Sequence, residues 1–81
     1  MQNENLLEMT GSVEQVIFRN EKNQYVVLEL NNGQELVTVV GTIPGVACGE
    51  ELRLIGTWVN HPSFGPQFKV QAFERSRPAT S

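Results

Sequence analysis

The sequence predicts an all-β fold, a small barrel closed by five short strands. Five segments alternate apolar and polar residues at the two-residue period of a strand, and short groups of Gly, Pro and Asn separate them. We find no convincing helical segment. The chain of 81 residues is long enough for one domain and too short for two. Five short strands in an open sheet would leave exposed edges, and closure into a barrel removes them.

The first predicted strand spans residues 8–19, EMTGSVEQVIFR. Its apolar phase slips along the segment, because Met9 and Val13 have odd numbers whereas Val16 and Phe18 have even ones. A β-bulge produces a slip of this kind. We therefore expect a strongly coiled first strand that contains a bulge.

The second and third strands are predicted to form a hairpin. Residues 25–30 (YVVLEL) follow a polar turn at 20–24, and residues 35–43 (ELVTVVGTI) return antiparallel. The NNGQ stretch at 31–34 contains Asn-Gly, which is the strongest short hairpin signal. The third strand is apolar on both faces around Gly41, so we expect both faces to be at least partly covered.

The connection to the fourth strand, IPGVACGEE at residues 43–51, is too short and too rich in Gly for a helix. The fourth strand is predicted at 52–59 (LRLIGTWV) and the fifth at 67–73 (QFKVQAF), with the loop NHPSFGP at 60–66 between them.

Two aromatic residues beside this loop are expected in the core. Trp58 has the parity of Leu52 and Leu54 in the fourth strand, and Phe68 has the parity of the apolar residues of the fifth. The aromatic residue at the loop tip, Phe64, has two possible positions: a ring exposed for stacking or docking, or a cap folded back on the end of the barrel.

Among small barrels, the OB-fold agrees best with a bent first strand, a tight hairpin and an irregular third connection; an SH3-like barrel is the alternative. One sequence does not determine the strand order that separates the two. We expect the domain at residues 8–75, an N-terminal extension at 1–7, and a polar tail or linker at 76–81.

Composition argues against catalysis and metal binding. The chain has one His, one Cys and no Asp, so a Ser-His-Asp triad cannot form, and the ligands are too few for a zinc site. We therefore expect no catalytic residues, no cofactor and no metal. The lone Cys48, the absence of a signal peptide and the absence of a long apolar run predict a cytoplasmic protein without a membrane partner.

The negative net charge of the chain argues against tight binding of nucleic acid by this domain alone. Nine Glu residues against six Lys and Arg give a charge of −3. Domains that bind nucleic acid strongly by themselves usually have a basic excess. A local basic patch is compatible with this charge.

Four motifs follow one another along residues 8–75. They contain Gly11, Val13, Val16, Phe18 and Asn20; then Val39, Val40, Gly41, Ile43 and Pro44; then Gly49, Glu50, Leu52, Leu54, Gly56 and Trp58; and finally His61, Pro62, Phe64, Gly65, Gln67 and Phe68. In this order the motifs resemble the N-terminal OB domain of RecD-like DNA helicases, which are exodeoxyribonuclease V alpha-subunit-like proteins.

Two positions differ from the family pattern. Pro66 stands where the family has a basic residue, which weakens the interpretation of the loop as a phosphate contact. Ala47 and Cys48 replace a more polar pair.

The resemblance implies a module of an ATP-dependent DNA helicase that acts in DNA repair and recombination. The phosphate-binding loop Gly-x-x-x-x-Gly-Lys-[Ser/Thr] of such helicases does not occur in this sequence. We therefore expect no ATP hydrolysis by this chain alone. Its partners would be single-stranded DNA, bound weakly, and the helicase motor domains. The alternative is a protein-interaction module that docks on motor domains or a partner subunit without nucleic-acid affinity.

The candidate DNA-binding residues follow from the usual ligand face of OB-folds, which is formed by strands 2 and 3 with the 1–2 and 4–5 loops. Aromatic rings there would stack on bases, and cationic side chains would contact phosphates. The candidates are Arg19, Lys22, Tyr25, His61, Phe64 and Lys69.

Overall fold

The computed structural model describes residues 6–76, and it forms a closed barrel of five β-strands. The strands are β1 Leu7–Asn20, β2 Tyr25–Asn31, β3 Leu36–Thr42, β4 Glu51–His61 and β5 Gly65–Ser76. Their order is β1-β2-β3-β5-β4, and β4 pairs with β1 to close the barrel. All pairs are antiparallel except β3 with β5. The predicted all-β barrel is confirmed.

The ends of the chain lie partly outside the described residues. Most of the predicted N-terminal extension falls on residues 1–5, and most of the predicted tail falls on 77–81. Within residues 6–76 there is no helix that could cross a membrane.

Strand β1 is long enough to pair on both sides of the barrel. Its first half pairs with β4 and its second half with β2. Two register shifts interrupt the second ladder, one between Val13 and Gln15 and one between Val16 and Phe18. These shifts confirm the bulge predicted from the phase slip. They bend the strand so that it can follow the curvature of the barrel.

The core lies inside the barrel and consists almost entirely of aliphatic side chains with one large aromatic ring, Phe68. The buried cluster contains Val13, Val26, Leu28, Leu30, Val37, Val39, Ile43, Val46, Leu52, Leu54 and Phe68. Val40, on the outer face of β3, is also buried. Both faces of this strand are therefore covered at its centre, as predicted.

The connection between β3 and β4 closes one end of the barrel without a helix. Ile43 and Val46 are fully buried there. The Arg75 guanidinium donates a hydrogen bond to the carbonyl oxygen of Pro44 at 2.6 Å and pairs with the Glu50 carboxylate at 3.1 Å. The prediction that this segment is not helical is confirmed.

The predicted alternation of β5 is wrong beyond Val70. Ala72 and Val70 of β5 pair with the consecutive residues Ile55 and Gly56 of β4, so Gln71 between them is an extra residue of β5. This bulge reverses the two faces of the strand. As a result Ala72 is exposed, and Phe73 packs against the core.

An exposed ionic cluster lies across β1, β4 and β5. The Arg53 guanidinium donates to Glu8 at 2.6 Å and to Glu74 at 3.4 Å. The hydrogen bond and charge of Glu8, followed by the charge of Glu74, raise the pKa of the Arg53 guanidinium. Since these groups are exposed, they contribute little to stability.

Strands β4 and β5 continue beyond the barrel as a hairpin. The described ladder between β1 and β4 ends at Gly56, and the ladder between β3 and β5 begins at Phe68. Among residues 6–76, residues 57–67 therefore pair only with each other or with the base of the same hairpin. We call residues 57–67 the arm.

Candidate nucleic-acid interface

The arm ends in a turn of three residues, 62–64. His61 pairs with Gly65 across the turn, and Gly65 has a φ of 82°. This left-handed conformation favours glycine. The Nδ1 atom of His61 accepts hydrogen bonds from the backbone N–H groups of Ser63 at 2.9 Å and Phe64 at 3.2 Å. The predicted loop at 60–66 is therefore a short turn between extended strands.

Phe64 is the most exposed large hydrophobic side chain among the described residues, at 74%. Its ring lies 4.7 Å from the His61 ring, with an angle of 36° between the planes. The ring does not cap the barrel. It lies exposed at the tip of the arm, beside the His61 ring.

Trp58 is also exposed, at 46%, so the prediction that it lies in the core is wrong. Its parity is that of the inward residues, but it lies on the arm, beyond the last described pair of β1 with β4. Its ring contacts Phe68 edge to face, with centroids 5.5 Å apart and planes at 78°. Phe68 itself is fully buried, as predicted.

Three of the other candidates, Arg19, Lys22 and Tyr25, lie toward the other end of β3. Tyr25 pairs with Thr42 at the end of this strand, whereas Phe68 is beside Val39 at its middle, which places the arm toward the strand's start. The seven residues of β3 span about 20 Å at the usual rise of a strand. Tyr25 and Phe64 therefore belong to two separate groups.

Lys69 lies between the two groups. It is exposed on β5, beside Val40 of β3 and opposite Thr57 of β4. The arm itself carries no Lys, Arg or Glu, so Lys69 is the nearest cationic side chain to it along β5.

The two basic candidates in and before the first turn differ in their surroundings. The Arg19 guanidinium is partly buried and donates a hydrogen bond to the carbonyl oxygen of Val46, in the connection that closes the barrel. Lys22 is exposed in the turn, whose backbone is held by the side-chain oxygen of Asn20. Arg19 thus has a structural bond already, and Lys22 is the cation open to a ligand.

Arg19→Ala is expected to lower the free energy of unfolding by about 1–2 kcal/mol, because the carbonyl group of Val46 loses its charged donor. Chemical denaturation measures this change. Lys22→Ala is the matched control, since it removes a nearby cation from an exposed turn, and we expect a change within about 0.5 kcal/mol. Equal effects of the two substitutions would contradict the anchoring role of Arg19.

The described residues contain no cluster of three or more His, Cys or acidic side chains that could hold a metal ion. The Cys48 sulfur is exposed and lies 3.2 Å from the carbonyl oxygen of Glu14. It belongs to the connection that follows β3, whereas His61 is on the arm toward the start of β3. The sole thiol and the sole imidazole are therefore not brought together.

A family model described as the OB-fold domain of the ATP-dependent DNA helicase YrrC matches residues 6–78. The chain belongs to this family. The match includes all five strands of the barrel and the arm, and it agrees with the predicted resemblance to the N-terminal OB domain of RecD-like helicases. It also decides between the two barrel types in favour of the OB-fold.

For a YrrC-type OB-fold domain, the exposed Trp58 is the binding candidate that sequence reasoning missed. A signal was present, because Trp58 is only four residues before the Pro62 turn and therefore close to the end of a hairpin. Alternation identified the face of the strand but not how far the strand extends past the barrel.

Proposed function

We propose that this OB-fold domain gives an ATP-dependent DNA helicase a weak contact that guides single-stranded DNA, without catalysis of its own. The observation that carries the proposal is the arm, which exposes Trp58 and Phe64 at 46% and 74% of their surfaces. Lys69 is exposed at its base, on the face of the hairpin opposite to Trp58. Two aromatic rings and a nearby cation are the elements that bind single strands without sequence preference.

Stacking would supply most of the affinity. A base stacked on an aromatic side chain contributes about 1–3 kcal/mol. Electrostatic attraction would be small, because the chain has a net charge of −3 and the arm has Pro66 where the family pattern has a basic residue. The expected binding is therefore weak and only moderately dependent on salt.

The second group of candidates would extend the contact along the barrel. Lys22 and Tyr25 are exposed at the far end of β3, about 20 Å from the end that faces the arm. An OB-fold covers about four or more nucleotides of a single strand. A strand that crosses β3 from the arm to the first turn would fit that footprint and pass Lys69 on its way.

A docking role without DNA affinity is the second candidate function, and a separate surface favours it. Ile17 and Phe18 at the second bulge of β1 are exposed at 53% and 51%. Neighbouring exposed apolar side chains are typical of protein contacts. The motor domains of the helicase, or a partner subunit, would cover them.

Phe64→Ala should weaken the binding of single-stranded DNA about five-fold or more, because it removes one stacking surface. Folding should be unaffected, since the side chain is largely exposed. Fluorescence anisotropy of a labelled oligothymidylate measures the affinity. Phe18→Ala is the matched control because it removes an exposed Phe outside the arm. The same loss in both variants would contradict the assignment of the site to the arm.

A further inference from the structure

The side-chain hydrogen bonds that hold the turn of the arm follow the same pattern as those made by two asparagine side chains elsewhere in this protein. The Oδ1 atom of Asn32 accepts hydrogen bonds from the N–H groups two and three residues later, at 2.9 and 3.0 Å. Asn20 does the same at 2.9 and 3.4 Å. In the arm, Nδ1 of His61 accepts from Ser63 and Phe64, also two and three residues later. His61 thus takes the place of an Asn.

This replacement makes the turn depend on the protonation of one atom. The Nδ1 atom accepts both hydrogen bonds only when it carries no proton, so the neutral ring must hold its proton on Nε2. A protonated imidazole is a donor at both nitrogens and accepts no hydrogen bond. Histidine is the side chain whose charge ordinarily changes between pH 5 and 8. The amide oxygen of an Asn would have no such dependence.

We propose that His61 is a proton-sensitive positioning residue, which holds the turn and the Phe64 ring in place while it is neutral and releases them when it is protonated. Two contacts connect the residues: the Phe64 N–H bond to Nδ1, and the tilted packing of the two rings at 4.7 Å. The consequence for DNA binding rests on the proposed function. The response of the turn itself does not.

Few other charges surround His61. The arm has no acidic or basic side chain besides this imidazole, and the closest charged residue on β5 is Lys69, opposite Thr57. Among residues 6–76, the nearest charged residue toward β3 is Glu35, in the loop before that strand, and toward β1 it is Glu8, which pairs with Ile55. The three ion pairs of the described residues all lie outside the arm.

NMR spectroscopy of the 81-residue chain at pH 8 and pH 5 tests the response of the turn. We expect the imidazole ¹⁵N signals at pH 8 to show a bare Nδ1 and a protonated Nε2. On lowering the pH, the amide signals of Ser63 and Phe64 should move together with the imidazole signals. A proton on Nδ1 at pH 8, or amide signals that do not follow the imidazole, would overturn the proposal.

Two substitutions separate the acceptor from the charge. His61→Asn places an amide oxygen near the position of Nδ1, so the Ser63 and Phe64 amides should stay hydrogen-bonded at both pH values. His61→Gln places its amide farther out, near Nε2, so both amides should lack the bond at both pH values. If the Ser63 and Phe64 amide signals of His61→Asn still change with pH, another group causes the response, and the role of His61 as a proton-sensitive residue is refuted.

Binding of oligothymidylate adds the functional readout. At pH 8, His61→Asn should keep the wild-type affinity and His61→Gln should bind as weakly as Phe64→Ala, because only the Gln variant lacks an acceptor for the turn. If no form binds DNA, the proposed function fails, and the NMR response still decides the role of His61. If DNA binds and both His61 variants match the wild type at both pH values, the positioning role is refuted.

Discussion

Gly56→Ala is expected to unfold the domain or to lower its free energy of unfolding by more than about 3 kcal/mol, at the upper end of single-substitution effects. A Cβ atom at this position would overlap the carbonyl oxygen of Lys69 and would lie 2.8 Å from its carbonyl carbon and 3.1 Å from Cα of Val70. All three atoms are backbone, so no side chain can rotate to make room. The two strands would have to separate where the barrel ends and the arm begins.

Chemical denaturation followed by circular dichroism measures the effect of Gly56→Ala. Gly33→Asn is the matched control. A Cβ atom at Gly33 meets nothing within 4 Å, and Asn tolerates the positive φ of 98° better than other residues. We expect a loss below about 1 kcal/mol for this control. A Gly56→Ala protein as stable as the control would show that β4 and β5 do not approach as closely as described.

Phe68→Ala should be the most damaging substitution in the core, with a loss of about 3–5 kcal/mol. Phe68 is fully buried, and it is the only aromatic residue of the buried cluster that the structure describes. Its removal leaves a cavity at the base of the arm and deprives Trp58 of its edge-to-face contact. The loss therefore affects both the barrel and the orientation of the arm.

The stability of the Phe68→Ala protein is measured by denaturation, and the emission of Trp58, the single Trp of the chain, reports on the arm. We expect a shift of this emission toward that of a fully solvated indole. Phe64→Ala removes the same group from an exposed position, so its stability should change by less than about 0.5 kcal/mol. Similar stabilities of the two variants would contradict the placement of Phe68 in the core.

The features that sequence predicted well are those that depend on local pattern. Alternation gave the number and approximate position of the strands, Asn-Gly marked the β2–β3 turn, and the phase slip revealed the bulged β1. The bulge at Gln71 was not foreseen, because Val70 and Ala72 continue the alternation that begins at Phe68 and conceal the shift to Phe73. When the extra residue of a bulge is polar and has an apolar residue on either side, the apolar–polar alternation of the sequence shows no change of phase.

The exposure of Trp58 depends on contacts between distant parts of the chain. Parity predicted its face correctly, but the depth of a residue depends on where neighbouring strands stop. Within residues 6–76 the β1–β4 ladder ends at Gly56, and the β3–β5 ladder begins at Phe68. Neither limit follows from the sequence around Trp58.

The predicted set of DNA-binding residues shows the same limit. Sequence identified which side chains have suitable chemistry, but not that the Arg19 guanidinium bonds to Val46, 27 residues away. It also did not show that Tyr25 and Phe64 belong to opposite ends of β3. Their contact with DNA stays a prediction, and the arm is the part of the site that the geometry favours most.

The most direct test of the account is a titration of labelled oligothymidylate with the wild-type domain and its Phe64→Ala variant at low and moderate salt, followed by fluorescence anisotropy. We predict saturable binding that salt weakens moderately and that Phe64→Ala reduces about five-fold or more. No binding at high micromolar protein and low salt would contradict it, and the exposed aromatic arm would then belong to a protein interface.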